Sequence, residues 1–115
     1  MDQERRARLE NSGVNYEAGL NRFMNNEALY ERFLLKFPSD ESYQSLSKAL
    51  EADDCEAAFQ AAHTLKGVAG NLSLDALFSA VAVQTEALRN GQLAEGKAHL
   101  PAVTAAYEAV IEALK

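Results

Sequence analysis

The sequence contains few of the residues that hold a small fold together by covalent or metal bonds. Among its 115 residues there are one cysteine, two histidines and no tryptophan. A single cysteine cannot form an internal disulfide, and Cys55 with two widely separated histidines does not make the ligand set of a metal site. We therefore expect a fold held by packing alone, in a reducing compartment, with Cys55 as a small core residue and no bound metal.

Long apolar runs and an excess of positive charge are missing as well. No stretch approaches the roughly 20 apolar residues that a membrane span needs, and the charged N-terminal segment lacks the apolar centre of a secretory signal. The formal net charge of −6 disfavours nucleic acid and anionic membrane surfaces, because both attract basic proteins. We expect a cytoplasmic protein that binds neither nucleic acid nor membrane, which leaves a protein or a small ligand as its partner.

What the sequence does contain is typical of a helical domain. Hydrophobic residues make up 48% of the chain, which is enough for one core, and no segment shows the pattern of a strand. Alanine, leucine, glutamate and lysine, which favour helices, are abundant. The pattern predicts an all-α fold, an antiparallel four-helix bundle with one or two short N-terminal helices, in a single domain over residues 1–115. We expect a monomer, since the helices can bury their own apolar stripes.

Turn and capping residues set the expected bounds of the first helices. Two short helices are predicted over residues 2–10 and 16–24. A third begins after Asn26, whose side chain can accept a bond from a free backbone N–H, and ends at Pro38. Its apolar residues recur at helical spacing and predict a buried stripe of Tyr30, Phe33, Leu34 and Phe37.

The later helices are bounded in the same way. Asn90-Gly91 predicts the end of one helix, and Pro101 must either kink the last helix or mark its true start. The expected starts of the remaining helices are a cap at Ser39 or Asp40, then the pair Asp53-Asp54, then a cap at Ser73.

The helix that follows Asp54 combines a buried face with an unusual exposed one. One side is apolar and is traced by Cys55, Ala58, Phe59, Ala62, Leu65, Ala69 and Leu72. Another side of this helix carries residues at i, i+3, i+4 and i+7, counted from the histidine. They are His63, Lys66, Gly67 and Gly70. We expect this side to face solvent.

This exposed face has the composition of a phosphoryl acceptor. A neutral imidazole is a nucleophile near pH 7, and Lys66 offers an ammonium to a phosphoryl oxygen. Each glycine costs about 1 kcal/mol relative to alanine inside a helix, so Gly67 and Gly70 are expected to leave open space beside His63. No phosphate-binding loop or second base accompanies them, which indicates a carrier that a partner acts upon and not an enzyme with its own ATP site.

At these residues the sequence resembles the histidine phosphotransfer (HPt) family of phosphorelays. The family motif is approximately His-x-Leu-Lys-Gly followed by a glycine three residues later, and the resemblance is strongest over residues 13–91. The matching residues are His63, Leu65, Lys66, Gly67 and Gly70. The resemblance implies a four-helix bundle and phosphoryl transfer between His63 and an aspartate of a response-regulator receiver domain, with a hybrid histidine kinase as a further partner. It places Mg²⁺ on the receiver and no cofactor on this chain.

The sequence departs from the family at one position near the histidine. Many members place a glutamine or glutamate beside the imidazole from the following helix, whereas this chain has Thr85 there, with Gln84 next to it. Either side chain is a candidate for orienting His63. By contrast, His99 has no comparable neighbours and is expected to be an ordinary surface residue.

Three functional hypotheses remain open at this point. The first is a phosphorelay carrier that accepts and donates a phosphoryl group on His63. The second is an adaptor that binds a receiver without being phosphorylated. The third is the substrate domain of a histidine kinase. Under all three hypotheses, one apolar group is either part of the core or a contact surface for the partner: Leu20, Phe23 and Met24.

Overall fold

Eight α-helices and one 3-10 turn make up the regular structure of the computed structural model, which describes Met1–Lys115. No residue lies in a strand, so the predicted all-α class is confirmed. The helices are α1 (Gln3–Asn11), α2 (Tyr16–Arg22), α3 (Glu27–Lys36), α4 (Ser42–Glu51), α5 (Cys55–Asn71), α6 (Asp75–Arg89), α7 (Leu93–Ala98) and α8 (Leu100–Ala113), with the turn at Phe37–Ser39.

The bundle is built around α5. This helix makes its most extensive contacts with α4 and α6, and α6 in turn packs against α7 and α8. Only three residues separate α4 from α5 and α5 from α6, and such short connections make consecutive helices run antiparallel. A single cluster of 24 buried residues forms the core. The helix that carries His63 therefore has neighbours on both flanks and is held firmly in place.

Side-chain caps begin several helices where the sequence predicts them. Asn26 Oδ1 accepts a hydrogen bond from the N–H of Leu29 at 3.1 Å, and Asp54 Oδ1 accepts one from Ala57 at 3.0 Å. At α4 the cap position is Glu41, which makes no side-chain cap bond, and Asp40, one residue earlier, accepts from the N–H of Ser42 at 2.9 Å. Each bond satisfies a backbone donor that has no partner within its helix.

The predicted cap at Ser73 is wrong. This residue has a φ of 58°, and its N–H donates to Gly70 at the end of α5. It therefore belongs to the turn that ends α5, while α6 begins at Asp75 without a side-chain cap. The left-handed backbone at Ser73 is a conformation that glycine adopts more easily.

A glycine ends one helix and a proline marks the start of another, in agreement with the prediction. Gly91 follows α6 with a φ of 73°, which is the usual role of a glycine after a helix. The helical structure is interrupted at His99, between α7 and α8. The last helix, α8, begins at Leu100 and has Pro101 in its first turn. Pro101 thus marks the start of the last helix, since a proline there removes no hydrogen bond that the helix needs.

The predicted stripe on α3 is only partly correct. Tyr30, Leu34 and Phe37 are buried, whereas Phe33 is 44% exposed. The ring of Phe33 packs beside that of Phe23, with 5.4 Å between the centroids. Because α3 has few helix neighbours, only part of its apolar face is covered.

Candidate functional site

The candidate site lies on the solvent-facing side of α5. The opposite side is buried: Ala58, Ala62, Leu65 and Ala69 have no exposed surface. His63 is exposed, as the helical spacing predicts. Burial of one face fixes the rotation of the helix, and this rotation directs the imidazole to solvent near the middle of α5.

The His63 imidazole stacks against the ring of Phe59. The two ring centroids are 5.8 Å apart and the ring planes differ by 20°. Phe59 was expected on the buried face, opposite the histidine. The structure corrects this, because Phe59 is only half-buried and precedes His63 by four residues, which is one helical turn.

Thr85 and Gln84 do not hydrogen-bond to His63. Both are fully buried. The Thr85 hydroxyl donates to the carbonyl of Val81 at 2.7 Å, and the Gln84 amide donates to the carbonyl of Gly96 at 2.9 Å. The Gln84 bond joins α6 to α7, whereas the Thr85 bond stays within α6. The structure does not bring either side chain to the imidazole that they were expected to orient.

Lys66 lies on the same side of α5 as His63, one turn further along. It is half-buried, and its ammonium is in none of the ion pairs that the chain forms. The positive charge is therefore not neutralised by a carboxylate of the same chain. A lysine in this position can approach an anionic group carried by the imidazole.

The two glycines differ in what surrounds them. A Cβ built on Gly67 would meet no atom within 4 Å, whereas one built on Gly70 would lie 3.3 Å from the ring of Phe78. Gly67 leaves open space beside His63, as predicted. Gly70 does so only in part, because the half-exposed ring of Phe78 on α6 occupies that side.

Arg89, at the end of α6, extends the site beyond the residues that the sequence indicates. Its guanidinium carbon lies 4.9 Å from the centroid of the Phe59 ring, and its Nε donates to Glu86 at 3.0 Å. A series of contacts thus runs from α6 through Phe59 to His63. Only the four-residue spacing between Phe59 and His63 could have indicated part of it from the sequence.

A groove of about 520 Å³ opens beside the second half of α5. Its walls come from α2, α3 and α5, and its residues are Arg22, Phe23, Phe33, Lys36, Phe37, Asp40, Val68, Asn71 and Leu72. Met24, next to the groove in the chain, is 91% exposed, whereas Leu20 and Phe23 pack against the core. Of the three residues considered as partner contacts, Met24 has its side chain entirely in solvent.

Comparison with known proteins identifies the family. A family model for the Hpt domain matches residues 34–113, which is more than half of the chain and includes the whole of α5. The chain belongs to the Hpt domain family. Searches of curated proteins and of solved structures each returned no match.

Membership of the Hpt family implies a phosphotransfer role in two-component signalling, since Hpt domains are phosphocarrier modules and not catalytic enzymes. The matched span contains every residue described above on α5 and α6. It also reaches through α7 and the whole of α8, beyond residue 91 where the resemblance noted in the sequence ends, and it begins at residue 34 instead of residue 13. No helix of this Hpt domain has both the length and the apolar composition needed to cross a bilayer.

Proposed function

We propose that the protein is a cytoplasmic, monomeric phosphorelay carrier that accepts and donates a phosphoryl group on His63. The observation that carries this proposal is the exposed His63 imidazole on α5, with open space at Gly67 and an unpaired Lys66 on the same side. The Hpt family match supports it. The donors and acceptors are aspartates of receiver domains, including those attached to hybrid histidine kinases.

The proposed transfer needs one nucleophile from this chain. The unprotonated ring nitrogen of His63 attacks the phosphorus of an aspartyl phosphate, and a nitrogen–phosphorus bond forms. The bond between phosphorus and the aspartate oxygen breaks, and its electron pair leaves with the carboxylate. The ring, which gains a positive charge as the bond forms, releases the proton of its other nitrogen to water. The reverse sequence returns the phosphoryl group to a receiver.

The positive charge that such a transfer requires is divided between the partners. Phosphoryl transfer depends on alignment and on cations near the transferred oxygens. On this chain Lys66 supplies one cation, and the receiver supplies Mg²⁺ with its own acidic residues. Transfer to or from a receiver therefore requires the receiver to dock over His63.

The apolar groove supports docking of a protein partner. Met24 and Phe33 are large apolar side chains that are 91% and 44% exposed, and Phe33 also lines the groove. An exposed apolar patch on a folded domain is typical of an interaction surface, and one wall of this groove is the second half of α5, the helix that carries His63. We assign this surface to the receiver.

A second candidate function is an adaptor that binds a receiver without being phosphorylated. The observation that favours it is the absence of a hydrogen bond between His63 and either Thr85 or Gln84, both of which are bonded elsewhere. Without such a partner, the imidazole is held less firmly in the orientation that nucleophilic attack requires. The adaptor hypothesis predicts receiver binding with no transfer of label.

One experiment separates these functions. The purified protein is incubated with a panel of phosphorylated receivers and assayed for phosphate that is labile to acid and stable to base. A carrier gains such label, His63→Gln abolishes it, and His99→Gln, which changes the other histidine, retains it. Label on His63→Gln would contradict the assignment, and binding without label on the wild-type protein would favour the adaptor.

A further inference from the structure

The stacked pair of Phe59 and His63 has a geometry that limits how the imidazole can turn. The rings are close to parallel, at 20°, and their centroids are 5.8 Å apart. Offset stacking of this kind is a favourable arrangement for two aromatic rings. An exposed side chain normally samples several rotamers, so a neighbouring ring that favours one of them changes how often the imidazole is correctly placed.

Phe59 is itself held in position from two sides. Its ring packs in part against the hydrophobic core. The guanidinium of Arg89 lies over the ring, 4.9 Å from its centroid, and Arg89 is in turn paired with Glu86 at 3.0 Å. Each of these contacts reduces the freedom of the Phe59 ring. The imidazole therefore stacks on a ring that contacts both the core and the half-exposed Arg89 of α6.

Stacking also leaves the chemistry of the imidazole unobstructed. A hydrogen bond from a side chain would occupy one of the two ring nitrogens, whereas contact with the face of the ring occupies neither. The side-chain hydrogen bonds near the site use other acceptors: Thr64 donates to Gln60, and Thr85 donates to Val81. Both nitrogens of His63 thus remain available, one to carry the phosphoryl group and one to exchange its proton.

We propose that Phe59 is the positioning residue for His63, and that it orients the imidazole for phosphoryl transfer by stacking. The proposal rests on the proposed function of His63 as phosphoacceptor. Phe59 does not touch the phosphoryl group; it acts through the imidazole. Loss of the ring is expected to lower the rate of His63 phosphorylation about 2- to 10-fold, the range that corresponds to one aromatic pair.

The test uses three variants of the full chain. Phe59→Leu removes the ring and keeps an apolar side chain, and Phe59→Tyr keeps the ring. Tyr43→Leu is the matched control, because it removes another half-buried ring, one that stacks on Tyr107 at 4.1 Å between α4 and α8. Thermal unfolding of each variant shows whether a change in rate accompanies a loss of structure.

Rates are measured with phosphoramidate, a small donor that needs no docking surface. Its phosphorus–nitrogen bond breaks as the bond to the imidazole forms, and ammonia leaves with the electron pair. We expect Phe59→Leu to be slowed about 2- to 10-fold, and Phe59→Tyr and Tyr43→Leu to react at the wild-type rate. With a phosphorylated receiver, Phe59→Leu should lower kcat by a similar factor and leave KM unchanged.

Nuclear magnetic resonance gives a readout that does not depend on phosphorylation. The ring current of Phe59 should shift the His63 ring protons, and this shift should disappear in Phe59→Leu and persist in Phe59→Tyr. A Phe59→Leu protein with wild-type reactivity toward phosphoramidate, or with unchanged His63 resonances, would overturn the positioning role. A wild-type protein that reacts with phosphoramidate but with no receiver would instead contradict the relay function and leave the stacking result intact.

Discussion

The phenol of Tyr30 donates a hydrogen bond of 2.8 Å to the backbone carbonyl of Leu72, the residue that ends α5. This bond joins α3 to the helix that carries His63 across 42 residues of sequence. The Tyr30 ring reaches this position because Gly19 on α2 has no side chain; a Cβ there would lie 2.1 Å from the ring. The bond therefore fixes α2 and α3 beside α5 and shapes the groove next to the candidate site.

Replacement of Tyr30 by phenylalanine should destabilise the fold. The variant removes the donor and leaves the Leu72 carbonyl buried without a partner, which costs about 1–3 kcal/mol. Urea unfolding measures the change. Tyr16→Phe is the comparison, since its hydroxyl donates to the partly exposed Glu27 at 3.1 Å and its loss should cost less. A Tyr30→Phe variant as stable as the wild-type protein would show that the bond contributes little.

The same tyrosines predict a loss of stability at alkaline pH. Burial raises the pKa of Tyr30 above its ordinary value of 10.0, and burial together with Glu27 raises the pKa of Tyr16 to about 12. Above pH 10 the unfolded chain loses these protons while the folded chain keeps them, so the unfolded state binds fewer protons and stability falls as pH rises. The contribution is complete below pH 10.0 and declines through about pH 12 for Tyr16.

Urea unfolding at a series of pH values on either side of 10 tests this dependence. The double variant Tyr16→Phe, Tyr30→Phe should show a shallower decline, because phenylalanine does not titrate. An identical slope in the wild-type protein and the double variant would assign the alkaline loss of stability to other groups. The other tyrosines remain in both proteins and serve as an internal control.

Much of the fold was predictable because it depends on interactions close in sequence. Caps such as Asn26 and Asp54 bond to an N–H three residues away, so a short segment contains all the information. The exposure of His63 follows in the same way, since the buried stripe of α5 fixes which side of one helix faces solvent. The family motif lies on this helix, and its spacing indicates the site without knowledge of the other helices.

Apart from the cap at Ser73, which fails because its left-handed backbone places it in the turn after α5, the incorrect predictions concern contacts between elements. Phe33 has the spacing of a buried residue, but no helix covers it. Thr85 and Gln84 lie at the right place along α6, yet both are fully buried, with Gln84 bonded to α7 and Thr85 bonded within α6. Arg89 reaches Phe59 only because α5 and α6 are antiparallel neighbours. Helical periodicity predicts the direction in which each side chain points from the helix axis. It does not predict how far that side chain lies from a neighbouring helix.

Removal of the Lys66 charge should slow transfer without weakening partner binding. Lys66 pairs with no carboxylate of the chain, so Lys66→Ala breaks no ion pair of the fold and should leave stability within about 0.5 kcal/mol. If its ammonium neutralises charge on the transferred oxygens, transfer from a phosphorylated receiver should fall about 10-fold while Kd is unchanged. Lys66→Arg should recover part of the rate. Lys48→Ala, on the exposed side of α4, is the control for loss of one positive charge.

Quenched transfer assays measure the rate of phosphoryl transfer, and calorimetry measures the Kd of receiver binding. Together they separate an effect of Lys66→Ala on the rate from an effect on binding. A Lys66→Ala protein that transfers at the wild-type rate would show that the receiver supplies all of the positive charge. A variant with weakened binding and an unchanged rate within the complex would place Lys66 in the docking surface instead.

Gly67 and Gly70 should respond differently to alanine. At Gly67 a Cβ meets open space, so Gly67→Ala should stabilise the isolated protein by about 1 kcal/mol through helix propensity. At Gly70 a Cβ would lie 3.3 Å from Phe78, and the ring must move to accept it. The stabilisation of Gly70→Ala should therefore be smaller or absent, and urea unfolding of both variants measures the difference.

The functional effect of Gly67→Ala should be the opposite of its effect on stability. If a receiver approaches His63 across Gly67, the added methyl group occupies the space that the partner needs, and transfer from a phosphorylated receiver should fall by about 10-fold or more. Phosphoramidate is small enough to avoid the methyl group and should react at the wild-type rate. Because the variant is more stable than the wild-type protein, loss of fold cannot explain the slower transfer. Normal transfer from a receiver would show that the partner does not pass over this side of α5, and it would leave the glycine without a functional reason.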